Sequence, residues 1–111
     1  MPVKNIDKAR GSTTGRPIMI LLDMLGKRWT LRIMWELRDR PLTFRDLQKQ
    51  CGDISPTTLN SRLRELRDFE IISHDTGGYS YTALGAELGA QMTELDNWSR
   101  KWTSQLDDSQ A

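Results

Sequence analysis

Between Ser55 and Asp68 the chain reads SPTTLNSRLRELRD, a run in which hydroxyl, amide and guanidinium side chains recur around a leucine repeat. Thr57, Thr58, Asn60, Ser61 and Arg64 carry the groups that bond to exposed base edges. Hydroxyls and amides donate and accept there, and an arginine bonds guanine in bidentate fashion or holds a phosphate. Arg62 lies toward the flank, where a phosphate is the favoured partner and an intramolecular carboxylate the alternative. Arg28, Arg45 and Lys49 fit either backbone contacts or ordinary solvated charge. Ser55 reads first as a helix cap, although a helix N-terminus also attracts phosphate through its unpaired amides.

Other chemistries find little support. Cys51 and His74 are the only cysteine and histidine, so there are too few soft ligands for an ordinary zinc site and no pair for a disulfide. Paired carboxylates, a nucleophile with its base and a phosphate-cradling glycine loop are all missing at useful spacing, so neither catalysis nor a cofactor is expected. Cys51 reads as a small buried hydrophobe and His74 as a surface or cross-strand residue.

The elements that must position these residues follow from periodicity. At 111 residues, with 37% hydrophobic and 28% charged residues, the chain fits one domain, expected to be soluble and cytoplasmic because it has neither a leader-like start nor a long apolar run. The formal net charge of +1 hides an asymmetry: residues 26–68 hold ten basic and six acidic side chains, residues 69–111 two and seven. A near-neutral chain can therefore carry a basic face.

Residues 1–15 mix Lys4, Lys8 and Arg10 with glycine, serine and threonine, and read as a flexible basic arm that could follow the DNA backbone or enter the minor groove. Pro17 then opens a short apolar helix closed by Gly26. KRWTLRIMWELRDR predicts a second helix with Trp29, Ile33 and Leu37 on one stripe, backed by Leu31, Met34 and Trp35 and stopped by Pro41. Thr43 and Asp46 form a capping-box pattern before the buried positions Phe44 and Leu47. Ser55 and Pro56 start the next helix, 55–69, which buries Leu59, Leu63 and Leu66 and turns Thr57, Ser61, Arg64 and Asp68 outward. Two helices joined by so short a turn form a helix-turn-helix.

After it, IISHD, TGG and YSYT predict strand, turn and strand, a wing. Leucines, methionine and tryptophans from Leu84 to Leu106 then recur at steps of three and four. They predict a helix over 82–106 of about 25 residues and roughly 37 Å, too long for one small core to cover, so its distal part needs a partner. Residues 107–111 are left as a tail. The fold class is mainly α with a small β-hairpin, a winged helix-turn-helix domain over 16–106.

RPIMILLDMLGKRWTLRIMWEL, TFRDL, ISPTTLNSRLREL and YSYTALGAEL followed by Trp98 together resemble an HxlR-type winged helix-turn-helix transcriptional regulator of the MarR-like group, over nearly everything from Arg16 to Trp102. The resemblance implies a homodimer whose first and last helices interlock, with Ile18, Leu21, Leu22, Leu95, Trp98 and Trp102 at the interface. It also implies two recognition helices reading a pseudo-palindromic operator in double-stranded DNA, with a repressor the expected role.

Three positions depart from the family pattern. Arg16 stands where the family commonly has a sensing cysteine, so thiol sensing is not carried over to Cys51. The wing has no lysine or arginine from Ser73 to Thr82, and Glu70 occupies a helix-end position usually held by glycine. Trp29, Trp35, Trp98 and Trp102 suit core and interface packing, with a flat apolar effector as the other reading. The neutral wing and acidic C-terminal part suit a second function, a winged-helix module that binds protein instead of DNA.

Overall fold

A computed structural model describes residues 16–110; the arm with Lys4, Lys8 and Arg10 lies outside the described residues. Among the described residues five helices and a hairpin follow one another: α1 Pro17–Leu25, α2 Thr30–Glu36, α3 Phe44–Gln50, α4 Pro56–Asp68, β1 Ile72–Asp75, β2 Gly78–Tyr81 and α5 Ala83–Gln110. They enclose one core, centred on Ile33, Met34, Leu47, Leu59, Leu63 and Leu66. Among the described residues no helix is long and apolar enough to cross a membrane.

α1 begins at Pro17, whose fixed φ suits the first turn, and ends where the Gly26 amide bonds the Leu22 carbonyl at 2.8 Å. It buries Ile20 and Met24 and leaves Ile18 and Leu22 in solvent, with Leu21 half-buried against the core.

The next helix is shorter than its periodicity suggests. Residues 26–29 form a turn, and Trp29 stands before α2 in the left-handed region at φ 80°, ψ −16°. That conformation costs a bulky residue about 1–2 kcal/mol. Trp29 still packs on the core, from the turn and not from the helix stripe, while Leu31, expected to back the apolar face, is exposed. α2 ends at Glu36, before the bends at residues 38–40 and well before Pro41.

The caps of the next two helices are as local sequence dictates. The Asp46 amide donates to Thr43 Oγ1 at 3.1 Å, and the Thr43 amide meets Asp46 Oδ2 at 3.5 Å. The Thr58 amide donates to Ser55 Oγ at 3.1 Å, with Pro56 at the first helical position. Leu59, Leu63 and Leu66 are fully buried, so the predicted stripe is the inner face of α4. Glu70, at φ 61°, ends that helix, and the Ile71 amide bonds back to the Leu66 carbonyl at 2.9 Å in a Schellman arrangement.

β1 and β2 pair antiparallel with Ile72 opposite Tyr81 and Asp75 opposite Gly78, and Asp75 Oδ1 tightens the turn by accepting from the Gly77 amide at 2.8 Å. A third segment joins them. Leu42 and Tyr79 exchange two backbone hydrogen bonds, 3.0 and 2.7 Å, which ties the wing to the entry of α3. Gly78, at φ 113°, is required there: a Cβ would stand 2.5 Å from the Leu42 carbonyl oxygen.

Thr82 caps α5 by accepting from the Gly85 amide at 2.9 Å. The helix is 28 residues long, about 42 Å, and absorbs most of the segment expected to be a tail. Its proximal half meets the body through Gly85, Gly89, Leu88 and Met92, and not through Leu84, which is exposed. Its distal half projects beyond the core, carrying Leu95, Trp98, Trp102 and Leu106 exposed.

Candidate nucleic-acid interface

α3 and α4, joined through residues 51–55, hold α4 with its leucine face inward and its other side in solvent. Thr57, Asn60, Ser61 and Arg64 are all exposed, and among the described residues the side chains of Thr57, Asn60 and Arg64 form no hydrogen bond or ion pair. Side chains at these spacings share one face of a helix. The four therefore share one exposed face, with the side chains of Thr57, Asn60 and Arg64 unengaged and Ser61 Oγ meeting Arg62.

Two residues grouped with them are placed differently. Thr58 is half-buried, and its hydroxyl accepts from Ser55 Oγ at 3.1 Å within the helix cap. Ser55 is exposed but is likewise occupied as a cap. Arg62 turns inward, its Nε donating to the Arg28 carbonyl at 2.8 Å and its Nη1 lying 3.5 Å from Ser61 Oγ. Its partner is thus intramolecular, a backbone carbonyl and not the carboxylate considered from sequence.

Arg45 and Lys49 project from α3 one turn apart, both exposed and, among the described residues, without an ion pair. Arg28 is exposed too, its guanidinium 5.5 Å from the Trp29 ring centre. One cation was missed in the sequence. Arg67 is exposed beside Arg64, and the two line a cleft with Asp68, Ile72, Ser73 and His74, between the end of α4 and the first wing strand. Its position three residues after Arg64 was the available signal.

His74 stacks on Tyr79 across the hairpin, ring centres 4.0 Å apart and nearly parallel, as a cross-strand pair. Cys51 is buried, and burial pushes its thiol above the usual range, with Arg32 opposing weakly. Among the described residues no group of three His, Cys, Asp or Glu side chains could hold a metal ion.

Of the six residues expected at an interface, Ile18, Leu22, Leu95, Trp98 and Trp102 are exposed, and Leu21 is divided between core and surface. Trp98 and Trp102 stack on each other, 6.0 Å apart at 13°.

A helix-turn-helix followed by a hairpin wing and a long terminal helix defines a winged helix-turn-helix protein. The chain belongs to the HxlR-like helix-turn-helix family, whose sequence model matches residues 24–107. It is 37% identical over 93 residues to an HTH-type transcriptional regulator of Halalkalibacterium halodurans, covering 77% of this chain and 82% of that protein. The structure of quinone-bound YodB from Bacillus subtilis superposes with a TM-score of 0.69 at 31% identity, over 76% of this chain and 96% of that one. A possible HxlR family transcriptional factor from Thermoplasma volcanium gives 0.67 at 26% identity, over 83% and 85%. The protein is a transcriptional regulator of this family.

Proposed function

We propose that the chain acts as a homodimeric, sequence-specific DNA-binding repressor, with the winged helix-turn-helix domain over 16–106 and α4 as the recognition helix at a pseudo-palindromic operator. The observation that carries this reading is the division of α4. Its inner leucines are fully buried, while Thr57, Asn60, Ser61 and Arg64 stand together in solvent. Ser55 and Thr58 shape the start of that helix and offer its first amides to a phosphate. Arg28, Arg45, Lys49 and Arg67 hold the duplex backbone, which fixes register without reading sequence.

In the dimer Ile18, Leu22, Leu95, Trp98 and Trp102 cover one another around a two-fold axis, with Leu21 at the margin. The two copies of α4 then enter successive major grooves about 34 Å apart. A small-molecule effector acts through that interface, because a ligand that favours one dimer geometry changes DNA affinity. The bound quinone of YodB supports such an effector. Cys51, buried and with its thiol held protonated, is not its point of attack. The site of action is the cytoplasm.

Selection of bound genomic fragments followed by gel shift at moderate salt tests the reading. A selected duplex should compete at least about a thousandfold better than random DNA. A chain that retains no duplex preference, yet captures a protein through its neutral wing, is the interaction module instead. The cation-free sequence from Ser73 to Thr82 is what favours that second reading.

A further inference from the structure

We infer that Arg62 and Glu65 are positioning residues: they lock the turn that joins α1 to α2 onto the flank of α4, and so tie the interface helix to the reading helix. This rests on the DNA-binding role just proposed.

The turn is held from α4 at two successive residues. Arg62 Nε donates to the Arg28 carbonyl at 2.8 Å, and Lys27 Nζ meets Glu65 Oε2 at 2.6 Å. Immediately after them comes Trp29 in the left-handed region, which a large side chain rarely adopts unless its surroundings hold it there. Trp29 has no side-chain cap to offer α2, so the geometry of the turn depends on its neighbours.

The carboxylate of Glu65 is mostly covered, and its Oε1 is buried without a partner among the described residues. Lys27 therefore supplies the charge on which that carboxylate depends. Burying an anion with so few partners is unfavourable unless the pair is kept.

At about 100° per residue, Arg62 lies about 150° and Glu65 about 90° around α4 from the middle of the face that presents Thr57, Asn60, Ser61 and Arg64. One flank thus grips the protein while another faces outward. α1 carries the exposed Ile18 and Leu22 directly before this turn, so a displacement of α1 at the interface reaches α4 through two side-chain contacts.

The contacts and the DNA reading are separated by two measurements on the full chain, with Arg62→Gln, Glu65→Gln and the exchanged pair Lys27→Glu/Glu65→Lys. The first is amide hydrogen exchange without DNA. The Thr30 amide, bonded to the Lys27 carbonyl at 3.2 Å, should exchange at least about fivefold faster in Arg62→Gln and Glu65→Gln, and near the native rate in the exchanged pair. Unchanged exchange in both single variants overturns the lock, whatever DNA does.

The second is affinity for the selected duplex across a salt series. Each single variant should lose about tenfold, as expected for a charge-assisted hydrogen bond, and should also discriminate less between that duplex and random DNA. The slope of log K against log salt should stay the same in Arg62→Gln, and the exchanged pair should recover affinity. A slope lowered by about one unit, with discrimination intact, makes Arg62 a phosphate contact and overturns its positioning role. Faster exchange in variants of a chain that prefers no duplex overturns the DNA reading and the positioning role with it, and leaves the lock as a feature of folding alone.

Discussion

Replacing Trp98 by alanine tests the proposed dimer most directly. An aromatic side chain of this size can bury about 150–250 Å². Trp98 is 56% and Trp102 51% exposed in the single chain, so roughly 100 Å² of each is still to be covered. At about 25 cal/mol per Å², and leaving out the area an alanine would still cover, each ring contributes about 2 kcal/mol per protomer. A two-fold axis counts every substitution twice, so Trp98→Ala should weaken the dimer by about 4 kcal/mol, about a thousandfold in dissociation constant. Trp102 is lost as a stacking partner at the same time, which adds to the effect. Sedimentation over a range of concentrations reads this constant, and circular dichroism confirms that α5 stays helical. A concentration-independent dimer in the Trp98→Ala/Trp102→Ala chain would refute the assignment, because these rings are the largest exposed apolar side chains on α5 among the described residues.

Arg64→Ala should cost about 1–3 kcal/mol of affinity for the selected duplex and relax the preference at one base position, read by gel shift against single-base variants; a uniform loss across all sequences would make it a backbone contact. Gly85→Ala should lower stability by about 1–3 kcal/mol through overpacking, since its Cβ would stand 1.8 Å from the Ile71 carbonyl oxygen and the start of α5 must move. Thermal unfolding measures it, and an unchanged midpoint shows that α5 packs on the wing some other way. Tyr81 donates to the Met34 carbonyl at 2.5 Å, and burial pushes its phenol up to about 12. Because the folded value lies above the unfolded one, near 10, the native state keeps the proton and its stability should be intact below about pH 10 and fall as pH rises toward about 12. Denaturant titrations at several pH values should show that decline in the native chain and a weaker one in Tyr81→Phe; equal slopes would remove Tyr81 as its source.

Legibility in the sequence followed the range of the interaction. The caps at Thr43 and Ser55 were readable because donor and acceptor lie three residues apart, and the leucine stripe of α4 because burial repeats with the turn of the helix. Glu70 was marked only by the resemblance, as a helix-end position usually held by glycine, and it stands in the left-handed region despite its side chain.

Non-local pairing was not readable. Gly26 marks the end of α1, but nothing between it and Trp29 marks where the next helix begins, so periodicity counted that ring into a helix that starts one residue later. The bridge from Leu42 to Tyr79 joins residues far apart in sequence. α5 was misjudged for another reason. Hydrophobic patterns weight large side chains, yet α5 meets Ile71 and Tyr81 through Gly85 and Gly89, where the absence of a side chain is what fits. Within the site, the outward face of α4 was recovered from helical spacing, but Arg62 was not, because its acceptor is a backbone carbonyl 34 residues away.

That misplacement of Arg62 alters the electrostatic account of the proposed interface. A wing without lysine or arginine from Ser73 to Thr82 supplies no cationic side chain to a phosphate, and Arg62, half-buried, donates to the Arg28 carbonyl of its own chain. Arg45 and Lys49 on α3, Arg28 at the turn and Arg67 at the end of α4 are what the described residues offer in their place. These four lie on α3, on the turn between α1 and α2 and at the end of α4, whereas five of the seven acidic residues of 69–111 lie on α5, the helix of the proposed dimer contacts. In the proposed complex, attraction to the duplex and repulsion from it would then act on different elements and favour the approach of α4 to the groove. A short neutral wing is compatible with that arrangement because its hydrogen bonds to Leu42 and its Tyr81 contact brace α2, α3 and α5 together, a task that needs no charge.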